Sequence, residues 1–444
     1  NGVVYLDFAF DLTGVPDYLE NYLTLLASVA TECGLTDMAY EDLARELATH
    51  AGGLSFRLDA STRADDESDL RKYLYVRLKA LPESLSDALD LVHGVLARPH
   101  FGNHERLATV LRELRNDMRS SVLPSGHLYM NLRSARGLSP SAAVEERWKG
   151  ISQLLFLEEL VESDIESVAA RLEELRKVVV AREGATAALA CEDDVQDDAL
   201  SKTRAFFDRL PPRAPAAGAA DRKAAAAEGG AGDPQAGAAD AAARGPTRWE
   251  SVLVSASVNY VGSTIRAAHL QEPEYIPESV LAHLLRTGFL WEEIRMKGGA
   301  YGAMAGPRAL ERIFNFASYR DPRIVETIEA FSRGLGEISH SGVDRSALDL
   351  AIIAGVGRDS RPLSPGQKSI VSLKRTLYGI SDELRQSNRD RLLSIEPEAV
   401  QEAARRLAAR LEEAHTSVMG SRTAIEEAAQ QYPGILEHTL ELQV

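Results

Sequence analysis

The chain has 444 residues, with 66 acidic against 50 basic side chains, and its net charge of −16 argues against a nucleic-acid backbone as partner. At 45% hydrophobic and 26% charged residues it is ordinary globular material, long enough for two or three domains of ~100–200 residues each. Two cysteines, Cys33 and Cys191, are too few for a disulfide scaffold or a thiolate zinc site, and no apolar run reaches the ~18 residues that a membrane span needs.

The chain opens Asn1-Gly2-Val3-Val4-Tyr5, without an initiator methionine or a basic-then-apolar leader, so a fragment or processed product is expected. Aromatic and β-branched residues predict a strand from Val3 to Phe10, and a helical stripe predicts helices over Tyr18–Thr31 and Tyr40–His50. Gly52-Gly53 opens a strand pair in which Leu54–Ala60 and Tyr73–Lys79 alternate apolar and polar side chains. Helices are expected at Leu85–Ala97 and Glu105–Val122, from Pro140 behind a Ser139 cap, at Trp148–Val161 and at Asp164–Arg176. Strands at Val178–Val180 and Ala187–Cys191 and a helix at Asp197–Leu210 close a first domain, residues 1–210.

Residues 211–247 are Ala, Gly, Pro and scattered charge, with too little bulky apolar surface to offset ordering entropy; they read as a flexible linker, with a short helix through the alanine runs as the competing reading. A second strand-first domain, 248–444, follows. Its predicted strands are Trp249–Val254, Val258–Gly262, Tyr301–Ala305, Ile313–Ser318 and His415–Met419. Its predicted helices are Val280–Arg286, Trp291–Lys297, Ile324–Gly334, Ala347–Gly355, Gly366–Tyr378, Glu383–Ser394, Pro397–Glu413 and Ala424–Gln431. The shared element order suggests duplication, and the fold class is α+β: two related domains, each an antiparallel-rich sheet with helices packed on one face.

One stretch draws the chemistry together. From Leu290 to Ile294 the apolar residues recur at helical spacing, and Gly298-Gly299 ends the pattern as a C-terminal stop. Arg295 falls in the last turn, where the helix dipole favours its fixed fork of donors. Tyr301 follows, with a phenol able to donate one hydrogen bond to an oxygen that becomes more negative during a reaction. On spacing alone, a helix-capping arginine and a half-buried strand tyrosine are the favoured reading.

No His-Glu-x-x-His or His-x-x-Glu-His motif is present, so no metal site is expected in this chain. His100 and His104 are four apart, but Pro99 and Gly102 put them in a loop where Asn103 caps the next helix. A nucleophile elbow and a phosphate-binding loop are also missing.

The run Arg295-Met296-Lys297-Gly298-Gly299-Ala300-Tyr301-Gly302 behind Leu290-Trp291-Glu292-Glu293-Ile294 resembles the arginine and tyrosine motif in the C-terminal half of the presequence protease subfamily. That subfamily belongs to the pitrilysin/insulinase zinc metallopeptidases. Further stretches are similar in the same order: Tyr40–Leu43 with His50–Gly53, Ser125-Gly126-His127, Val258–Gly262, Ser318–Pro322 and Pro362–Pro365. The resemblance implies a clamshell peptidase of four related domains, of which this chain holds the third and fourth. It implies zinc and its glutamate base in an N-terminal half that is the chain's partner, unfolded peptides as substrates, and neither nucleic acid nor membrane as partner. The location implied is cytoplasmic in a bacterium or an organelle matrix in a eukaryote.

By the same analogy Tyr301 and Arg295 are the catalytic pair, with Gly298 and Gly299 beside them as substrate-binding positions. Asn259 and Ser318 are read as strand-edge hydrogen-bonding residues, Arg320 as a turn contact, and His127 as a buried hydrogen-bonding residue. The rival reading is a non-catalytic subunit that pairs with a separate zinc-bearing chain.

Overall fold

The computed structural model describes residues 2–213 and 247–444, so the predicted linker, apart from its two ends, lies outside the described residues. The first half forms a four-stranded antiparallel sheet from β1 (Val4–Asp11), β2 (Gly53–Thr62), β3 (Leu70–Ala80) and β4 (Ala185–Ala190), in the order β2-β3-β1-β4. The second half has β5 (Trp249–Leu253), β6 (Tyr260–Arg266), β7 (Gly302–Arg308), β8 (Ile313–Tyr319), β9 (His415–Gly420) and β10 (Thr439–Glu441), in the order β10-β5-β9-β6-β8-β7. Its run β7-β8-β6-β9 repeats the first sheet strand for strand, and β5 and β10 add two parallel neighbours beside β9. The duplication expected from element order is thus visible in topology.

Strand periodicity explains how the halves join. Val4, Leu6, Phe8 and Phe10 of β1, with Leu74, Val76 and Leu78 of β3, point to one face and bury against the first half's own helices. The alternate residues Ala9, Tyr73 and Tyr75 point to the other face, where Leu373 and Tyr378 of the second half cover them, Leu373 from helix Pro365–Leu377 and Tyr378 from the residue that ends it.

The exchange is reciprocal. Helix Gly126–Ala135 of the first half lies on β6, β8 and β9 of the second, packing Tyr129 and Met130 against Tyr260 and Met419. A Cβ at Gly262 of β6 would sit 2.6 Å from the Met130 carbonyl, so this glycine lets the helix backbone approach the sheet. Each sheet therefore carries its own helices on one face and a borrowed helix on the other.

Beneath the borrowed helix, Arg133 is fully buried and donates to both oxygens of Glu250 at 2.7 Å and to Glu146 at 3.2 Å; Arg136 reaches Glu250 at 2.7 Å. Burial alone would raise the Glu250 pKa, but the two guanidiniums outweigh it and hold the group down to about 2. Among the described residues no helix is long and apolar enough to cross a membrane.

Several predicted elements are corrected. The helix expected at Tyr18–Thr31 is two short ones, Asp17–Glu20 and Leu23–Val29, separated by a turn at Asn21-Tyr22. Trp148–Val161 is divided at Gly150 between helices Pro140–Lys149 and Ile151–Val161, and the Glu146 carboxylate accepts from the free Ser152 amide at 3.1 Å. Val178-Val179-Val180 is no strand: helix Ile165–Val179 runs into it, because Val178 and Val179 continue the buried stripe of Leu172 and Leu175.

Candidate functional site

Helix Tyr275–Thr287 ends at Gly288, and the segment Trp291–Lys297 then winds as a π-helix rather than the α-helix its apolar spacing predicts. Ile294 is buried on its inner side, while Trp291, Arg295 and Met296 are exposed. A single wide turn of this kind is common where a chain presents side chains for function. The two glycines then act differently. Gly298 keeps right-handed dihedrals but leaves no room for a side chain, since a Cβ would lie 2.3 Å from the Ile294 carbonyl oxygen. Gly299 takes φ +84°, reversing the chain so that its amide and that of Ala300 bond back to the carbonyls of Arg295 and Ile294.

That reversal delivers Tyr301 to the entrance of the edge strand β7. Its amide donates to the Tyr319 carbonyl at 3.0 Å, which fixes the backbone, and its side chain is 68% exposed. The ring stands edge-on to Tyr319 with centroids 6.3 Å apart, and Tyr319 in turn meets the His127 ring at 4.8 Å and the Tyr260 ring at 6.1 Å. The Arg320 guanidinium lies 5.8 Å from the Tyr301 centroid and 5.5 Å from that of Tyr319, within cation–π range. Tyr260 donates its hydroxyl to the Leu123 carbonyl; burial raises its pKa, and the Arg320 charge opposes that rise.

Tyr301, Gly299, Arg320 and Pro322 form one wall of an open pocket of about 520 Å³, faced by Leu123 and Pro124 of the first half and by residues 255–258 of the β5–β6 loop. The structure thus brings Tyr301 and Gly299 into one recess built by both halves. Gly298 lines a separate hollow of about 280 Å³ with Lys297, Arg323 and Arg333. Arg295 lines neither; it is exposed and, among the described residues, makes no side-chain hydrogen bond or ion pair. Its neighbour Lys297 is the paired cation, bound to Glu293 at 2.6 Å and Glu292 at 2.9 Å.

The placement of Arg320 comes from a slip in register. Gly262 pairs with Ala317, yet Asn259 pairs with Asp321, so one extra residue is inserted on the β8 side. Such a bulge re-aims a side chain, and here Arg320 takes φ +48°, a conformation that costs a residue with a Cβ about 1 kcal/mol or more. The surroundings hold it there. Asn259 and Asp321 exchange backbone hydrogen bonds of 2.7 and 2.8 Å, and the wholly buried Asp321 carboxylate accepts from the Thr327 hydroxyl at 2.7 Å and the Arg323 amide at 3.0 Å. Burial raises the Asp321 pKa.

Asn259 and Ser318 do hydrogen-bond, Ser318 accepting from the Val261 amide at 3.3 Å, but where the interior strands β6 and β8 meet rather than at an edge of the sheet. Arg320 is corrected from a turn contact to a cation facing tyrosines. His127 is corrected too: it is half-buried, its Nδ1 has no hydrogen-bond partner among the described residues, burial lowers its pKa, and its ring packs edge-on against Tyr319. Sequence reasoning does not single out Tyr319 and Tyr260. The available signal is one tyrosine in each of Val258–Gly262 and Ser318–Pro322, which neighbouring strands set side by side. No three His, Cys, Asp or Glu side chains come together as a metal site among the described residues, so the groups present do not fit a zinc ion.

Two family models match in chain order: one for the region associated with M16 peptidases of subfamily C, over residues 1–160, and one described as "PreP C-terminal domain", over residues 249–420. The mitochondrial presequence protease of Danio rerio is 26% identical over 403 residues, covering 89% of this chain and 39% of its own length. Presequence protease 1 (chloroplastic/mitochondrial) of Arabidopsis thaliana is 26% identical over 402 residues, covering 89% and 35%. The chain spans about two-fifths of the length of the curated relatives it matches. Among solved structures, a peptidase M16 inactive domain from Pseudomonas fluorescens aligns with TM-score 0.61 at 14% identity over 95% of this chain and 93% of that one. A protease from Helicobacter pylori aligns with TM-score 0.63 at 12% identity over 95% of each. Both halves of the chain, in order, therefore belong to the C-terminal region of presequence-protease-like proteins of the M16 peptidase family.

Proposed function

We propose that this chain is the non-zinc half of a clamshell zinc metalloendopeptidase that degrades unfolded peptides such as targeting peptides. The zinc and its general base would be carried by a partner region preceding it in the longer protein. The observation that carries the reading is Tyr301. Its backbone is pinned to β8, its phenol is open to solvent, and it stands in a recess with a cation beside it that no carboxylate among the described residues neutralises. Such a phenol is pre-aimed to donate to a peptide carbonyl oxygen as negative charge develops there.

Arg295, exposed one turn earlier and without a side-chain partner among the described residues, would hold the substrate backbone or its carboxylates through its fork of donors. Gly299 leaves the approach to Tyr301 open. The net charge of −16 suits basic peptides, and the recess between the two halves suits an extended rather than a folded substrate.

The test is made in the full-length protein. Tyr301→Phe should lower kcat by ~10²–10³-fold with little change in KM, and an unchanged kcat would defeat the assignment. A complete reading frame with no inverted zinc motif upstream would favour instead a subunit that pairs with a separate zinc-bearing chain.

A further inference from the structure

We infer that Arg320 is a positioning residue for Tyr301: the bulge at the end of β8 exists to hold a positive charge against the phenol ring, and turnover depends on that charge. The inference rests on the proposed role of Tyr301 and adds a second residue to it.

Three observations converge. First, Arg320 occupies a left-handed conformation in which glycine would sit without strain, so the backbone alone gives no reason for an arginine. Secondly, its guanidinium has no carboxylate at ion-pair distance among the described residues, although acidic side chains outnumber basic ones in the chain and Arg308, Arg312, Arg323 and Arg333 nearby all find oxygen partners. Thirdly, its neighbours are tyrosines: it lies over the rings of Tyr301 and Tyr319, bears on the Tyr260 hydroxyl, and lines the same pocket as Tyr301. A strained residue with an unneutralised charge beside an exposed phenol is the pattern in which fold stability has been given up for a site.

The physical effect follows from where the charge lies. Attraction between the guanidinium and the electron-rich ring face restricts the rotation of a side chain that is otherwise two-thirds in solvent. The same positive charge favours the negative charge that develops on a substrate oxygen bonded to the phenol. Arg320 needs no contact with substrate to act in this way.

The experiment uses the full-length zinc-loaded protein and an unstructured fluorogenic peptide, with Arg320→Gln, Arg320→Lys and Arg320→Gly made alone and on Tyr301→Phe. Arg320→Gln and Arg320→Gly should lower kcat about tenfold or more with KM held within about twofold, and Arg320→Lys should restore much of the loss. On the Tyr301→Phe background, Arg320→Gln should cost less than about twofold, since the two residues act as a unit. Arg320→Gly should melt at or above the wild-type temperature, which separates a site role from a structural one.

Wild-type kcat in Arg320→Gln, alongside a slow Tyr301→Phe, would overturn this inference and leave the Tyr301 reading standing. A full Arg320→Gln loss repeated on Tyr301→Phe would also overturn it. Wild-type kcat in Tyr301→Phe would remove the site reading and this inference together.

Discussion

The two halves contain the same corner, built twice and finished differently. Where β2 enters the first sheet, Gly52-Gly53 lie against the stem of Lys79, the residue that pairs with Gly53 across the ladder. Where β7 enters the second sheet, the equivalent positions are Tyr301-Gly302, and the residue across the ladder is Tyr319. In the first corner the strand enters on two glycines, which carry no side chain, beside the stem of an exposed lysine. In the second a phenol projects into an open recess, and the strand opposite bulges to bring Arg320 against it. One backbone frame thus supports a corner without an aromatic side chain and one that presents a phenol, and the difference lies in a handful of side chains.

A second contrast makes the same point with two arginines. Arg133 crosses between the halves fully buried, neutralised by Glu250 and Glu146, in service of the fold. Arg320 lies exposed in a strained conformation, facing tyrosines. Each comparison can be broken by substitution. The largest expected effect is at the buried cluster: Arg133→Met should cost about 3–5 kcal/mol in denaturant unfolding, because it leaves the Glu146 carboxylate in the interior without its cation and Glu250 with Arg136 alone. The cluster also sets an acid limit. A carboxylate whose pKa falls on folding contributes stability that is complete above its ordinary 4.5 and is lost as the pH falls toward about 2. Unfolding free energy should therefore drop across that interval in the wild type and more shallowly in Glu250→Gln, as fluorescence-monitored denaturation at each pH would show.

Next in size is the corner itself. Tyr301→Gly, which imposes the first half's finish on the second, should reduce kcat at least as much as Tyr301→Phe, yet move stability by no more than about 0.5 kcal/mol, because the side chain is exposed. Gly262→Ala should cost about 1–3 kcal/mol, since its Cβ would meet backbone atoms of helix Gly126–Ala135 that cannot move aside cheaply. The smallest effect is at the borrowed helix on the first sheet. Ser364 and Gln367 form a reciprocal capping box there, and Ser364→Ala should cost about 1 kcal/mol by thermal melting.

Much of this architecture is legible in the sequence, for reasons that can be named. Strands β1, β2 and β3 carry alternation strong enough to fix which side chains face which layer, and helices such as His104–Ser121 announce themselves through a cap, Asn103, and an apolar stripe. What is lost depends on tertiary context. A run of three valines suggests a strand until Leu172 and Leu175 bury the same stripe in a helix. Helix Gly126–Ala135 begins at a glycine that looks like a turn, and its helical state is secured by the other half's sheet. Strand β10 is three residues long and forms only because β5 is there to pair with it.

For the site, Tyr301 and the two glycines stand out through their spacing and resemblance. Arg320 does not, because a one-residue slip between β6 and β8 cannot be read from either strand alone. Arg295 and Tyr301 look like one unit in sequence, whereas in the structure the companion that meets the tyrosine ring is Arg320.

Whether Tyr301 meets the reacting carbonyl is decided by a structure of the full-length protein with an unfolded peptide bound in a form that cannot cleave it. The Tyr301 hydroxyl should then lie about 2.7 Å from the carbonyl oxygen of the bond to be cut, with the Arg320 guanidinium still over the phenol ring. A peptide bound for cleavage with Tyr301 left in solvent, or with its hydroxyl turned to another group, would contradict the role proposed for Tyr301.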